Sequence, residues 1–104
     1  MTFYNKLVRD KIPEIIEKGG EVPNICILDD AAYLRHLEAK LDEEVGEYHR
    51  DKNLEELADI LEVVYALADS IGSRDALLEI YRNKHDARGG FEKRIFLISK
   101  EDAV

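Results

Sequence analysis

Two pairs of acidic residues flank a short polar segment near the middle of the chain. The pairs are Glu44-x-x-Glu47 and Glu56-x-x-Asp59, and residues His49–Asn53 lie between them. Residues three apart lie on the same side of a helix, so each pair would present two carboxylates to one space. If the segment turns the chain back, the four carboxylates meet and repel one another. That arrangement favours a hard divalent cation with oxygen ligands, Mg²⁺ or Mn²⁺.

The histidines add no transition-metal motif to this pattern. Di-iron sites in helical bundles use Glu-x-x-His pairs. No glutamate stands three positions before His36, His49 or His85. A set of carboxylates without imidazole or thiolate ligands favours Mg²⁺ or Mn²⁺ over Zn²⁺.

Two sets of basic residues could hold phosphate oxygens. Lys6 and Arg9 lie near the start of the chain, and Lys84 and Arg88 are one helical turn apart just before Gly89-Gly90. Arg offers a planar fork of donors and Lys a point charge. Surface salt bridging in an acidic protein is the alternative use of each set. The glycine pair is not a phosphate loop, because no G-x-x-x-x-G-K-[ST] or G-x-G-x-x-G occurs.

The sequence pattern predicts a single all-α domain, residues 1–104, with a bundle of about four helices. Asp10, Asp29-Asp30, Asn53 and Ser73 are the predicted helix N-caps. Leu34, Leu37, Leu41, Val45 and Tyr48 form an apolar stripe in the second helix, and Glu44 borders it. The predicted helices run from about Asp10 to Lys18, Asp29 to Arg50, Leu54 to Ile71 and Arg74 to Arg88.

A short two-stranded β element could accompany the helices. Val22–Leu28 is β-branched and apolar, although Pro23 interrupts it. Phe91–Ile98 shows a loose alternation of apolar and polar residues and could pair with it.

The third predicted helix is apolar round most of its circumference. Apolar side chains recur from Leu57 to Ala68 at spacings that cover several faces. A helix of this kind is buried on more than one side. It would lie centrally in a bundle or pack against a partner subunit.

The amino-acid composition limits the kinds of partner that the chain could bind and the cellular compartment that suits it. The 104-residue chain has a formal net charge of -8, which argues against binding a nucleic acid polymer. The single cysteine, Cys26, lies among apolar residues and is predicted to be a buried thiol, which fits a reducing compartment. We expect no signal peptide and no membrane span, and hence a cytoplasmic protein.

Four stretches of the chain together resemble one known family. They are KLVRDKIPEII (Lys6–Ile16), EEVGE (Glu43–Glu47), EELADILEVVYALA (Glu55–Ala68) and KHDARGGFEK (Lys84–Lys93). In this order they resemble the MazG-like all-α nucleoside triphosphate pyrophosphatases, a superfamily that includes phosphoribosyl-ATP pyrophosphohydrolase. The opening stretch resembles a short-chain subgroup described as house-cleaning pyrophosphatases. One departure is the short separation of Glu47 and Glu56, only eight residues, which could reshape the base pocket.

The resemblance implies Mg²⁺-dependent hydrolysis of a nucleoside triphosphate to monophosphate and pyrophosphate. Glu44, Glu47, Glu56 and Asp59 match the family's metal-binding carboxylates, and Glu44 or Glu47 would assist the attacking water. Lys6, Arg9, Lys84 and Arg88 would bind substrate phosphates. The resemblance also implies a homodimer or homotetramer.

Two alternatives remain open at the level of the sequence. An enzyme of the same fold could act on phosphoribosyl-ATP in histidine synthesis. A helical dimerisation module without catalysis would explain the apolar third helix equally well.

Overall fold

A computed structural model describes residues 1–103 of the chain. They fall into two compact units, Met1–Arg74 and the chain from Asp75 onward. Four α-helices and no strand occur in residues 1–103, so the predicted all-α fold class is confirmed. The helices are α1 (Ile12–Lys18), α2 (Asp30–Asp51), α3 (Leu54–Ile71) and α4 (Arg74–Arg88).

Side-chain caps fix the starts of the two long helices. Asp29 accepts a hydrogen bond from the backbone N–H of Ala32 at 2.8 Å, and Asn53 accepts one from Glu56 at 2.9 Å. Both satisfy helix donors that would otherwise lack a partner. These two predicted caps are therefore confirmed.

The predicted cap at Asp10 is wrong. α1 begins at Ile12, its N-cap is Lys11, and no side chain caps it. The reason is a turn ahead of the helix, in which the Ile12 N–H donates to the carbonyl of Arg9 at 3.0 Å. The turn leaves Asp10 one position too early to receive a helix N–H.

A two-residue connector folds α2 and α3 into an antiparallel helical hairpin. Lys52 adopts the left-handed conformation (φ 49°, ψ 49°), and its N–H donates to the carbonyl of Tyr48, which closes α2. Asn53 then starts α3 at once. Leu37 of α2 and Val63 and Ala68 of α3 are the buried apolar residues of the hairpin. This small core holds the two helices side by side.

One face of α3 stays uncovered within the described chain. Leu54, Leu57, Leu61 and Ile71 are 81%, 43%, 49% and 76% exposed. The expectation that α3 is buried on more than one side is therefore not met by the chain's own residues. The pattern follows from the size of the hairpin, in which α2 alone packs against α3.

The predicted β element and the predicted burial of Cys26 are wrong. Residues 22–28 form no strand, and Cys26 is exposed, as are its neighbours Ile25 and Ile27. Pro23 removes a backbone donor from that segment. In the second unit a turn from Phe91 to Arg94, with Arg94 in the left-handed region (φ 57°), breaks the extended run. Neither segment pairs with another strand within residues 1–103, so apolar composition alone was not sufficient to predict a β element.

α4 belongs mostly to the second unit and contains no buried residue. None of the helices in residues 1–103 combines the length and the apolar character that crossing a bilayer requires.

Removing the cap at Asn53 should destabilise the hairpin. We expect Asn53→Ala to lower the free energy of unfolding by about 1 kcal/mol, because the Glu56 N–H loses its acceptor. Urea unfolding followed by circular dichroism measures the change. Asn53→Ser, which keeps a capping oxygen, is the matched control and should retain most of the stability. Equal losses in both variants would contradict the capping role.

Candidate functional site

The helical hairpin brings the two carboxylate pairs together. Glu44 and Glu47 project from α2, and Glu56 and Asp59 project from α3. Each offers one carboxylate oxygen, and these four oxygens all lie within 4.8 Å of one another. We refer to these four side chains as the carboxylate cluster. The geometry joins the residues that the sequence singled out, while their role as metal ligands stays a prediction.

Burial makes the cluster energetically costly without a counter-charge. Glu44 is only 6% exposed. One oxygen of Glu44 and one of Glu56, Oε2 in each, are buried and have no hydrogen-bond partner in residues 1–103. A buried acceptor without a donor loses the hydration it had in the unfolded chain. A divalent cation with oxygen ligands would satisfy both atoms, so the donor set fits Mg²⁺ or Mn²⁺.

The same environment shifts the proton affinity of two cluster members upward. Burial raises the pKa of Glu44, and the nearby charges of Glu47 and Asp59 add to the effect. Burial also raises the pKa of Glu56, and Glu47 again adds to it. Both shifts have the causes expected where carboxylates share a poorly solvated space. The cluster therefore holds protons more readily than isolated glutamates do.

The N-terminal segment supplies positive charge at the edge of the cluster. Arg9 donates from Nη2 to Oδ1 of Asp59 at 2.6 Å. Lys6 donates from Nζ to Oε1 of Glu43 at 3.1 Å, next to the cluster residue Glu44. Two of the four predicted phosphate-binding residues, Lys6 and Arg9, are thus placed beside the predicted metal ligands.

Lys40 and Glu43 are parts of the site that the sequence reasoning missed. Lys40 lies 3.2 Å from Glu43 and 3.6 Å from Glu44, oxygen to nitrogen. Burial pushes the pKa of Glu43 upward, but hydrogen bonds from Lys6 and Lys40 outweigh it, and the net pKa is lowered. The signal was present in the sequence, because Lys40 precedes Glu44 by one helical turn. Glu43 lies outside the apolar stripe of α2, so the hydrophobic periodicity alone does not single it out.

A cavity of about 450 Å³ opens beside the carboxylate cluster. Its floor is apolar and comes from the seam between α2 and α3, through Leu37, Val63 and Ala66. Glu44 and Asp59 line the end at the cluster. The volume lies within the range of small-molecule sites, and such sites combine an apolar lining with a few polar groups.

The other two predicted phosphate-binding residues lie in α4. Lys84 and Arg88 are exposed and one helical turn apart. They belong to the second unit, and their role stays a prediction.

Comparison with known proteins assigns no family to the chain. No protein-family model matches it, and no solved structure matches it. The chain is 55% identical over 42 residues to a protein of Mycolicibacterium smegmatis (strain ATCC 700084 / mc(2)155) that is described only as uncharacterized. That match covers 40% of this chain and 43% of the relative. The case for a function therefore depends on the geometry of the site.

Substitution of the neighbouring residues Glu43 and Glu44 should change the free energy of unfolding in opposite directions. In protein freed of metal by a chelator, we expect Glu44→Gln to raise the free energy of unfolding at pH 7 by about 1–2 kcal/mol, because a buried charge is removed. The pKa of Glu44 is raised in the fold, so wild-type stability falls as pH increases above the ordinary value of 4.5. The advantage of the variant should therefore appear only above that pH. Urea unfolding from pH 3.5 to 8 measures it.

Glu43→Gln is the matched control in the same series. The pKa of Glu43 is lowered in the fold, so its ionised form stabilises the protein above the ordinary glutamate pKa and stops doing so as pH falls through the lowered value. We expect this variant to lose about 0.5–1 kcal/mol at pH 7 and to match the wild type at the acid end. Shifts of the same sign in both variants would contradict the assigned environments.

Proposed function

We propose that the chain is a Mg²⁺-dependent nucleotide pyrophosphohydrolase. It would convert a nucleoside triphosphate, of a modified or unwanted kind, to the monophosphate and pyrophosphate. The observation that carries the proposal is the convergence of four carboxylate oxygens within 4.8 Å, with the Oε2 atoms of Glu44 and Glu56 buried and lacking partners. The resemblance of the sequence to MazG-like pyrophosphatases supports the same reading.

The residues of the cluster would bind the cation and position it at the edge of the cavity. Glu44, Glu47, Glu56 and Asp59 are the proposed ligands, and Mn²⁺ would serve as well as Mg²⁺. When bound, the cation supplies charge neutralisation and Lewis-acid activation at the reacting phosphoryl group. An acidic chain of net charge -8 needs such a bridge to attract a polyphosphate.

The basic residues beside the cluster would bind the substrate's phosphate oxygens. Arg9 already lies at hydrogen-bond distance from Asp59, and its five N–H donors suit phosphate oxygens. Lys6 adds a flexible point charge nearby. Lys84 and Arg88 are further candidates for the same task. Arg9 and Lys6 would stabilise the charge that develops on the departing pyrophosphate.

The proposed reaction is attack of water on the α-phosphorus. The bond from that phosphorus to the bridging oxygen breaks, a new phosphorus–oxygen bond forms, and pyrophosphate leaves. Glu47 or Glu44 would accept the proton of the attacking water as general base. Lys40, at 3.6 Å from Glu44, would hold that carboxylate in place.

Neutralising one ligand at a time should abolish turnover without unfolding the protein. We expect Glu47→Gln or Asp59→Asn to lower kcat for pyrophosphate release at least about 100-fold, since catalysis by bound metal depends on its ligands. A screen of ordinary and modified nucleoside triphosphates with Mg²⁺ and Mn²⁺ supplies the substrate. Calorimetric titration with Mn²⁺ gives a second readout, in which the same variants should bind the ion at least about tenfold more weakly.

Glu55→Gln is the control for these variants, because Glu55 is exposed on the same helix and outside the cluster. It should keep parental turnover and Mn²⁺ affinity. Parental rates in Glu47→Gln or Asp59→Asn would show that the site is wrongly assigned. Release of orthophosphate instead of pyrophosphate would place the attack at a different phosphorus.

The exposed apolar face of α3 supports a homo-oligomer, dimer or tetramer. Leu54, Leu57 and Leu61 follow one another at helical steps and remain exposed, whereas few residues of the chain are buried. A second copy would offer the same stripe, which suits a two-fold interface. The same observation favours the alternative function, a helical dimerisation module without catalysis.

A charge placed in this stripe should prevent assembly. We expect Leu61→Glu to shift the mass in solution to that of a monomer, because the charge would be desolvated between two apolar faces. Light scattering after size-exclusion chromatography measures the mass. Ala39→Glu adds the same charge at an exposed position of α2 and should leave assembly intact. A wild-type protein that is monomeric at tens of micromolar would contradict the proposed oligomer.

A further inference from the structure

A second cavity adjoins the one beside the carboxylate cluster. It measures about 640 Å³ and shares Tyr33, Glu62 and Ala66 with the first. Both lie within the unit Met1–Arg74. We refer to the two adjoining cavities together as the groove, with one end at the carboxylate cluster and its far end near Arg74.

The two ends of this groove differ in how their charged side chains are paired, since Arg9 and Lys40 at the cluster end form ion pairs with Asp59 and Glu44. At the cluster end, Arg9, Lys11 and Lys40 line the wall together with the acidic residues. Asp30 lines the far cavity and Glu62 lines both cavities, and neither side chain makes a hydrogen bond or ion pair within residues 1–103. These two carboxylates are thus hydrogen-bond acceptors without a partner, although Tyr33, Ser70 and Arg74 line the same cavity.

The one basic residue among those lining the far cavity in residues 1–103 is already engaged. Arg74 lies 3.6 Å from Asp69 through Nη2, and its guanidinium stacks over the ring of Tyr65 at 4.3 Å. Cation–π contact and ion pairing together hold it in place. A phosphate bound here would have to compete with Asp69 and would face Asp30 and Glu62 as well. Binding of a second anionic group at the far end is therefore unfavourable.

Distance along the helix places Glu62 next to the proposed reaction centre. Asp59 and Glu62 are three residues apart on one side of α3, about 4.5 Å along the helix axis. Ala66 lies one turn farther along the same side. Val63 and Leu37 form the apolar floor between the cluster and the far end. Glu62 is exposed and lines both cavities, so its carboxylate is accessible to a ring bound on this floor.

From this charge pattern we infer that the groove binds the nucleobase and that Glu62 accepts a hydrogen bond from an exocyclic amino group of that base. The inference rests on the proposed function for the position of the triphosphate at the carboxylate cluster. It identifies the substrates as nucleotides with an amino-bearing base and no second phosphate on the base side. Glu62 is then a specificity-determining residue, and it takes no part in bond breaking.

The test uses pairs of nucleoside triphosphates that differ by one amino group. Guanine is paired with hypoxanthine, adenine with unsubstituted purine, and cytosine with 2-pyrimidinone. We expect kcat/KM for pyrophosphate release to favour the amino-bearing member of at least one pair by about tenfold, since an acceptor left without its donor weakens binding. Glu62→Ala should abolish that preference by slowing the amino-bearing substrate alone. Glu55→Ala, two helical turns before Glu62 and outside the residues that line the two cavities, should preserve it.

Two further measurements separate this inference from the proposed function. The same pairs are compared as monophosphates in Mn²⁺-dependent equilibrium binding, which needs no turnover. Phosphoribosyl-ATP, which carries a second phosphate on the base side, should be hydrolysed at least about tenfold more slowly than ATP. Equal rates and equal affinities within every pair, or a preference that survives Glu62→Ala, would overturn the inference while pyrophosphate release still supported the enzyme.

Faster hydrolysis of phosphoribosyl-ATP than of ATP would also overturn it. Absence of hydrolysis with every nucleotide would instead overturn the proposed function. The role of Glu62 would then be decided by the binding comparison alone, in which loss of the amino preference in Glu62→Ala supports it and an unchanged preference refutes it.

Discussion

Mutual repulsion among carboxylates held by one helical hairpin is the constraint on which the rest of the structure depends. The two-residue connector between α2 and α3 brings the four acidic side chains together, and one oxygen from each lies within 4.8 Å of the others. Burial of Glu44 strengthens the repulsion, because charges interact more strongly where water is excluded. The hairpin is therefore shaped around an unfavourable interaction that a cation would relieve.

The chain relieves part of this repulsion with its own cations, two of which pair with members of the cluster. Arg9 pairs with Asp59, Lys40 pairs with Glu44 and Glu43, and Lys6 pairs with Glu43. These contacts tie the N-terminal segment to the hairpin, so the segment acts as both a structural brace and a wall of the cavity. The buried Oε2 atoms of Glu44 and Glu56 remain without partners in residues 1–103. A cluster whose charge is partly compensated, but in which two buried oxygens lack partners, is suited to binding a cation.

The bounds of the three longer helices and the convergence of the carboxylates could be predicted from the sequence, because both depend on local rules, whereas the start of α1 could not. Asn53 marks the start of α3 by its capping chemistry, and the spacing of three residues places each acidic pair on one side. Contacts between distant segments could not be predicted. The placement of Glu43 against Lys6 requires the N-terminal segment to cross the hairpin, and the exposure of Cys26 requires that nothing covers its segment. The pattern of apolar residues in either segment does not indicate the contact of Lys6 with Glu43 or the exposure of Cys26.

The small core of the hairpin links stability to function. Leu37, Val63 and Ala68 are the buried apolar residues within residues 1–103, and they support a cluster whose buried Glu44, with its raised pKa, opposes folding at neutral pH. A fold this modest gains stability from any partner that binds only the native state. The exposed leucine stripe of α3 and the unpartnered oxygens of the cluster lie on the same helical hairpin. Binding of a second subunit at one and of a cation at the other would therefore stabilise the same pair of helices, so we expect each event to favour the other.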